Sequence, residues 1–251
     1  PNMEKIVDLC KKYEVILLED VCESMGSKYQ GEYLGSFGFA SFYSMYFGHH
    51  LSTIEGGFIN TNDEGFYHQM LMMRSHGWDR DLPKEVQKDI RESYGCSDFD
   101  GLYNFYLPGM NLRSTDLQAF IGLRAIDKLD GYSSKRRENF KYYIDKLKTN
   151  QLHLEEKPND YVSSFAIPIL HPMRNDIISD LQDEGVEVRP LIAGNMANKP
   201  MWYGRQRKLG RVDGNLENCE LLDKQGFYVP NHQDLSKKDI DKIVDIINEY
   251  E

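Results

Sequence analysis

The chain has 251 residues, 40% of them apolar and 28% charged, with a formal net charge of −10. Those values are ordinary for a globular protein and leave room for one large or two modest domains with real cores. The acidic balance argues against nucleic acid as a partner, which needs a basic face, but not against an anionic small molecule held by a few local cations or N–H groups. No stretch approaches the roughly 20 apolar residues needed to span a bilayer, so no membrane partner is expected. Cys10, Cys22, Cys96 and Cys219 are scattered and form no close pair. Neither a disulfide framework nor a metal site is therefore expected, and reduced thiols in a cytoplasmic protein are.

In chain order, Met3, Ile6, Val7 and Cys10 have helical spacing. Val15-Ile16-Leu17-Leu18 then predicts a short buried strand that ends at Glu19-Asp20. In an open α/β sheet, ligands sit at the carboxyl ends of strands, which is where this places Asp20. Gly31, Gly35 and Gly38 punctuate a turn-rich stretch before the aromatic segment Phe39 to Phe47, and Gly56-Gly57-Phe58-Ile59-Asn60 predicts a turn feeding another strand. Residues 79–100 are polar and read as a surface excursion or lid rather than core. Ser114 is a candidate cap for a helix in which Leu117, Phe120, Ile121 and Ala125 have core spacing.

A second unit follows. A helix is predicted over about 133–148, then a strand from Ser163 to Leu170 in which Pro168 points to an edge position. A helix over about 174–184 stops at Gly185, before a strand Val186-Glu187-Val188. Ser236 caps a last helix with Ile240, Ile243, Val244 and Ile247 on one face. The alternation of helices and strands implies an α/β protein.

Four places concentrate unusual residues: Glu19 to Glu23, Ser44 to His50, Arg74 to Gly77, and Gly109 to Ser114. Each alone has a plain explanation as a turn-forming acid, a surface histidine pair, a polar loop or a helix start. Taken together and in this order, they resemble the DegT/DnrJ/EryC1/StrS sugar aminotransferases. The resemblance runs through Val15-Ile16-Leu17-Leu18-Glu19-Asp20, Gly35-Ser36-Phe37-Gly38, Ser41-Phe42-Tyr43-Ser44, Thr53-Ile54-Glu55-Gly56-Gly57 and Thr61-Asn62-Asp63. It resumes over Gly109-Met110-Asn111-Leu112-Arg113-Ser114-Thr115-Asp116-Leu117-Gln118-Ala119 and is weaker in the C-terminal half. It implies a pyridoxal-phosphate (PLP) enzyme of the aspartate aminotransferase-like fold, fold type I. Residues 1–130 would be the C-terminal part of the large, mixed-sheet, cofactor-binding domain, and residues 131–251 a small C-terminal α/β domain. The family's N-terminal third, with its phosphate loop and a stacking aromatic ring, has no counterpart here, so a partial chain is expected.

One position departs from the family pattern. The lysine expected five residues after Ser44 and six before Glu55 is His49. A lysine amine tethers the cofactor covalently and also moves a proton; imidazole can do only the second, with an ordinary pKa suited to neutrality. Histidine at this place, in the pair His49-His50, resembles the family's 3-dehydratase branch. That resemblance implies removal of the C3 hydroxyl from a nucleotide-linked 4-keto-6-deoxy sugar, with GDP-4-keto-6-deoxy-D-mannose as the expected substrate. Pyridoxamine phosphate (PMP) would be the working cofactor form, and glutamate would regenerate it. His49 would be the catalytic base, and Asp20, Glu23, Ser44, Asn111 and His76 the cofactor-side residues. Glu187 and Arg189 would face substrate, and a homodimer with shared sites would be the working form. The rival readings are an aminotransferase making a 4-amino sugar, a non-catalytic member of the fold, and a metal-dependent hydrolase using His49, His50 and Glu55.

Overall fold

The computed structural model describes residues 1–149, 152–202 and 214–251. The chain divides into two compact units: Pro1–Glu23 with Leu34–Asp127, and Ser24–Tyr33 with Lys128–Glu251. The short segment 24–33 thus groups with the second unit, which a single cut at 130 does not capture.

In the first unit, α1 (Met3–Lys12) starts at Asn2, whose side chain accepts the Lys5 N–H. A three-stranded sheet follows, in which β1 (Leu18–Asp20) pairs parallel to β4 (Ala40–Ser44), and β4 pairs antiparallel to β5 (Gly57–Thr61). The strand predicted from Val15 is shorter than its apolar run. Val15 and Ile16 are 58% and 68% exposed, because β1 lies at the sheet edge with β4 on one side only. Helix α2 (Glu64–Met73) is capped by Asp63, whose carboxylate accepts the Phe66 N–H.

Residues 79–100 are mostly exposed, as their polarity predicts, but they are anchored at a few buried positions. They contain α3 (Lys84–Ser93), of which Gln87 is buried, together with Asp79 and Leu82 ahead of it. At these positions polar groups pair with each other: Arg91 donates through Nε to Asp79 at 2.7 Å, and Gln87 donates to the Leu82 carbonyl at 2.8 Å. Helix α4 (Asp116–Ala125) is capped by Thr115, not Ser114, through a capping box with Gln118. None of its residues is buried, and Leu117 and Phe120 are more than half exposed. Periodicity identifies an apolar face, not what covers it.

The second unit holds a small hairpin of β2 (Lys28–Tyr29) and β3 (Glu32–Tyr33), then the long α5 (Leu129–Lys146). Its main sheet has the order β6-β8-β7, with β6 (Ala166–Leu170), β7 (Arg189–Pro190) and β8 (Gly226–Pro230), all antiparallel. Pro168 lies on edge strand β6, as its missing N–H requires. Helix α6 (Arg174–Asp183) ends near Gly185, whose φ of +76° suits glycine, and the next strand begins at Arg189 rather than Val186. Helix α7 (Glu217–Gln225) and strand β8 have no counterpart among the sequence expectations. Helix α8 (Lys237–Asn248) is capped by Ser236 and buries Ile240, Ile243, Val244 and Ile247 against Tyr143, Ile167, Ile177, Leu181 and Phe227, the centre of the core. Among the described residues, no helix is long and apolar enough to cross a membrane.

Candidate functional site

Successive residues of a strand face opposite sides of the sheet. On β1 this separates the two acids. Glu19 turns inward and its carboxylate accepts N–H groups of Gly35, Phe37 and Gly38, all at 2.7 Å. Asp20, the last residue of the strand, is exposed, and its Oδ1 accepts the Cys22 N–H at 3.1 Å. Glu19 shapes the glycine turn, and Asp20 stays exposed at the strand end. The sequence held a signal for this division, since two adjacent acids at a strand end cannot share a face.

The two flanking residues respond to that charge. Burial, then a hydrogen bond and charge interaction with Asp20, push the Cys22 thiol up to about 11. Enclosure by neighbouring protein, then the charge of Asp20, raises the Glu23 carboxyl above the ordinary glutamate range, although part of that side chain meets solvent.

Strand β4 carries the next residue. In the parallel register, Asp20 lies opposite Phe42, and Ser44 is two residues further along the same face. A carboxylate and a hydroxyl therefore stand at the carboxyl ends of neighbouring parallel strands, about 7 Å apart along the strand direction. Beyond Ser44 the chain forms a loop tied at its base, where Met45 N–H donates to Gly56 O and Thr53 N–H to Met45 O, both at 2.9 Å. Ser44 Oγ accepts the Tyr46 N–H at 3.2 Å, and Tyr46 O accepts the His49 N–H at 3.0 Å. The half-buried His49 ring meets Tyr46 edge-on, with 5.7 Å between centroids. His50 and Leu51 are fully buried and anchor the loop. The histidine pair is thus divided, with His50 in the packing and His49 at its edge.

The third and fourth unusual places of the sequence form one ladder. Ser75 and Asn111 form an antiparallel bridge, His76 N–H donates to Met110 O at 2.9 Å, and Leu112 N–H donates to Arg74 O at 2.8 Å. The segments approach so closely that a Cβ on Gly77, whose φ is +86°, would lie 1.8 Å from the Leu107 carbonyl oxygen. Asn111 is exposed, its Oδ1 accepting from Arg113 Nε at 3.3 Å. The His76 ring packs on Trp78, centroids 4.7 Å apart, which fixes its orientation. In the second unit, Glu187 and Arg189 form a salt bridge with each other on an exposed surface. Among the described residues, no three His, Cys, Asp or Glu side chains are grouped as a metal site requires.

These features define a fold and a family. The chain belongs to the DegT/DnrJ/EryC1/StrS aminotransferase family, whose pattern it matches over residues 1–248. Its fold is that of the PLP-dependent aminotransferases. Among curated relatives, it is 33% identical over 239 residues to GDP-4-keto-6-deoxy-D-mannose 3-dehydratase of Escherichia coli, covering 92% of this chain and 60% of that protein. It is also 27% identical over 253 residues to GDP-perosamine synthase of Escherichia coli, covering 99% of this chain and 62% of that one. Among solved structures, a GDP-4-keto-6-deoxymannose-3-dehydratase with a trapped PLP-glutamate geminal diamine superposes with a TM-score of 0.81 at 32% identity, over 98% of this chain and 64% of that one. The chain thus spans about three-fifths of the length of the curated relatives it matches.

The residues present fit the cofactor of those relatives. A pyridine nitrogen needs a carboxylate with a free face, and Asp20 spends one oxygen on a backbone N–H at the exposed strand end. A phosphate needs short polar donors, which Ser44 and Asn111 supply. The half-buried His49 is held by the loop that follows Ser44.

Proposed function

We propose that the protein this chain belongs to removes the C3 hydroxyl from a nucleotide-linked 4-keto-6-deoxy sugar, most simply GDP-4-keto-6-deoxy-D-mannose. The product would be a 3,6-dideoxy-4-keto sugar of the kind used in colitose and other lipopolysaccharide deoxysugars. The observation that carries this reading is the division of labour around β1 and β4. Asp20 and Ser44 share one face of adjoining strands, which supports a role in holding the cofactor, and His49 follows on the loop after Ser44, which supports a role beside it.

Each residue then has a task. Asp20 accepts the N–H of the pyridine ring, and so favours its cationic form. The Ser44 hydroxyl donates to the phosphate, and the Asn111 amide donates to the phosphate of the cofactor bound by a second copy. Glu23, its proton held more tightly than usual, lies at the cofactor edge beside Asp20. His49 would take a proton at the cofactor C4′ carbon, while the C3 oxygen, on gaining a proton, would leave as water and the amine supplied by glutamate would be released as ammonia. A general base of this kind contributes about 10²–10⁴-fold in rate. When bound, the cofactor supplies the cationic ring that holds the electron pair released at C4′. His76, oriented by Trp78, lines the cofactor side, and Arg189 releases Glu187 to take a carboxylate of glutamate, the amine source that restores PMP. A homodimer is the proposed working form, since Leu117 and Phe120 on α4 offer a second copy an apolar face. The free cysteines suit a reducing, cytoplasmic setting.

The similarity to GDP-perosamine synthase favours one other outcome, transfer of the amine to the sugar. Mass analysis of the product separates the two. With PLP, glutamate and GDP-4-keto-6-deoxy-D-mannose, the proposal expects a sugar that has lost oxygen at C3 and carries no added amine. A 4-amino sugar with its C3 hydroxyl intact contradicts it.

A further inference from the structure

In the second unit, the Glu187–Arg189 pair leads into a loop whose anchoring the proposed reaction leaves unexplained. Arg189 and Pro190 make up the whole of β7, and they pair with Tyr228 and Phe227 of β8. So short a ladder fixes little by itself. The direction in which the Arg189 side chain leaves therefore depends on what holds the chain to either side. Ahead of Arg189 is its salt bridge with Glu187. Behind it is the loop 191–199, and that loop is pinned to Asp223 of α7.

Asp223 Oδ1 accepts the Asn195 N–H at 3.1 Å and the Lys199 ammonium at 2.8 Å. The Lys199 bond, with that of the Asn195 N–H, holds the Asp223 carboxyl below the ordinary aspartate range. Its backbone carbonyl accepts Arg174 Nη1 at 2.6 Å, which ties α7 to the first residue of α6. A Cβ on Gly194, whose φ is +53°, would lie 2.0 Å from Asp223 Oδ1, so the loop sits against the carboxylate as closely as a bare backbone allows. From there the path to Arg189 is short. The Gly194 N–H donates to Leu191 O at 2.9 Å, and Pro190 alone separates Leu191 from Arg189.

The loop is held in this shape at a cost. Ile192 is β-branched, yet its φ is +44°, in the left-handed region that favours glycine. Asn195 is buried, and its Nδ2 has no acceptor among the described residues. Strain and orphaned polar groups of this kind gather where a segment serves a ligand. Closing an apolar core does not account for them, since Ile192 and Met196 at the loop surface are 61% and 48% exposed.

We infer that Asp223 is a positioning residue for the amine donor. Through Asn195 and Lys199 it fixes the loop 191–199, and through that loop it holds Arg189 ready for a carboxylate of glutamate. The inference rests on the task proposed above for Arg189 and adds the residue that sets its place.

The test follows the glutamate half-reaction alone, in which the amine passes to PLP and 2-oxoglutarate leaves, by the absorbance of the PLP-loaded full-length protein. Asp223→Ala is expected to raise the half-saturating glutamate concentration about tenfold, with the limiting rate within about twofold of wild type. Lys199→Met, a milder change at a side chain that is 34% exposed, is expected to raise it in the same direction. Hydrogen exchange without glutamate should quicken over residues 191–199 in both variants and stay unchanged across α8. Arg189→Ala is the reference. If it raises the half-saturating concentration and neither loop variant does, the positioning role is overturned and Arg189 keeps its task. A fall in limiting rate at unchanged half-saturation in the loop variants overturns it as well. If Arg189→Ala leaves the half-saturating concentration unchanged, the proposed task of Arg189 falls, and the inference with it.

Discussion

Glu19 and Asp20 are neighbours in sequence and opposites in placement: Glu19 accepts three N–H groups from the Gly35–Gly38 turn, while Asp20 is exposed on the face it shares with Ser44. Their substitutions should therefore diverge. Glu19→Ala leaves three inward N–H groups without their acceptor, at a cost of about 3 kcal/mol. Asp20→Asn should change stability by less than about 1 kcal/mol, as surface changes do, while removing at least 99% of turnover in an assay of the full-length protein. Denaturant unfolding and activity, measured on both variants, check the contrast. Equal loss of stability would show that the two faces are wrongly assigned.

Cys22 reports on Asp20 from two residues away. With its thiol pushed to about 11 by burial and by Asp20, only roughly a thousandth is thiolate at pH 8. Iodoacetamide should therefore modify the exposed Cys219 well before Cys22, as peptide mass mapping would show. Asp20→Asn removes the charge that helps to raise the thiol, so Cys22 labelling should quicken. A rate unchanged in that variant argues against the contact.

The Asp79–Arg91 pair holds the 79–98 segment. Asp79 is fully buried, Arg91 is 12% exposed, and Arg91 also reaches Asp98 at 3.0 Å. Asp79→Ala leaves the largely buried Arg91 with only the exposed Asp98 as a carboxylate partner, which costs about 3 kcal/mol. Hydrogen exchange should accelerate across α3 and leave the sheet of β6, β7 and β8 protected. Uniform acceleration through both units would contradict a local role.

Glu156 gives the fold a dependence on acid. Burial alone would raise its carboxyl, but Arg137, Lys141 and the Val162 N–H hold it at about 2. Because the folded value lies below the unfolded one, the stabilisation is complete above about 4.5 and is lost as pH falls from there towards about 2. The contribution is on the order of 2 kcal/mol, once the exposure of Arg137 and Lys141 is allowed for. The stability gap between wild type and Glu156→Gln should be present at pH 7 and shrink steadily below pH 4.5. A gap that is constant with pH would rule out this ion pair as its source.

The legible parts of the fold are those whose signals are local. Capping residues and repeating aliphatics placed α8, and a strand ending in acid placed Asp20, because each depends on a few adjacent residues. The illegible parts depend on distant partners. Nothing near Asp79 announces that Arg91, twelve residues on, turns it into a buried anchor. The Ser75–Asn111 bridge likewise joins two places that look separate in sequence. The apolar run at Val15 and the face of α4 are exposed for one reason that sequence does not carry: composition reports that a surface is apolar, and only packing reports whether it is covered.

In the proposed reaction His49 moves a proton and does not hold the cofactor. The direct measurement is on His49→Asn in the full-length protein, comparing pyridoxal phosphate binding by absorbance with the rate of C3 dehydration. The prediction is that binding persists within a few-fold while dehydration falls by about 10²–10⁴-fold, the contribution of a positioned base. Dehydration at the wild-type rate in His49→Asn would contradict it.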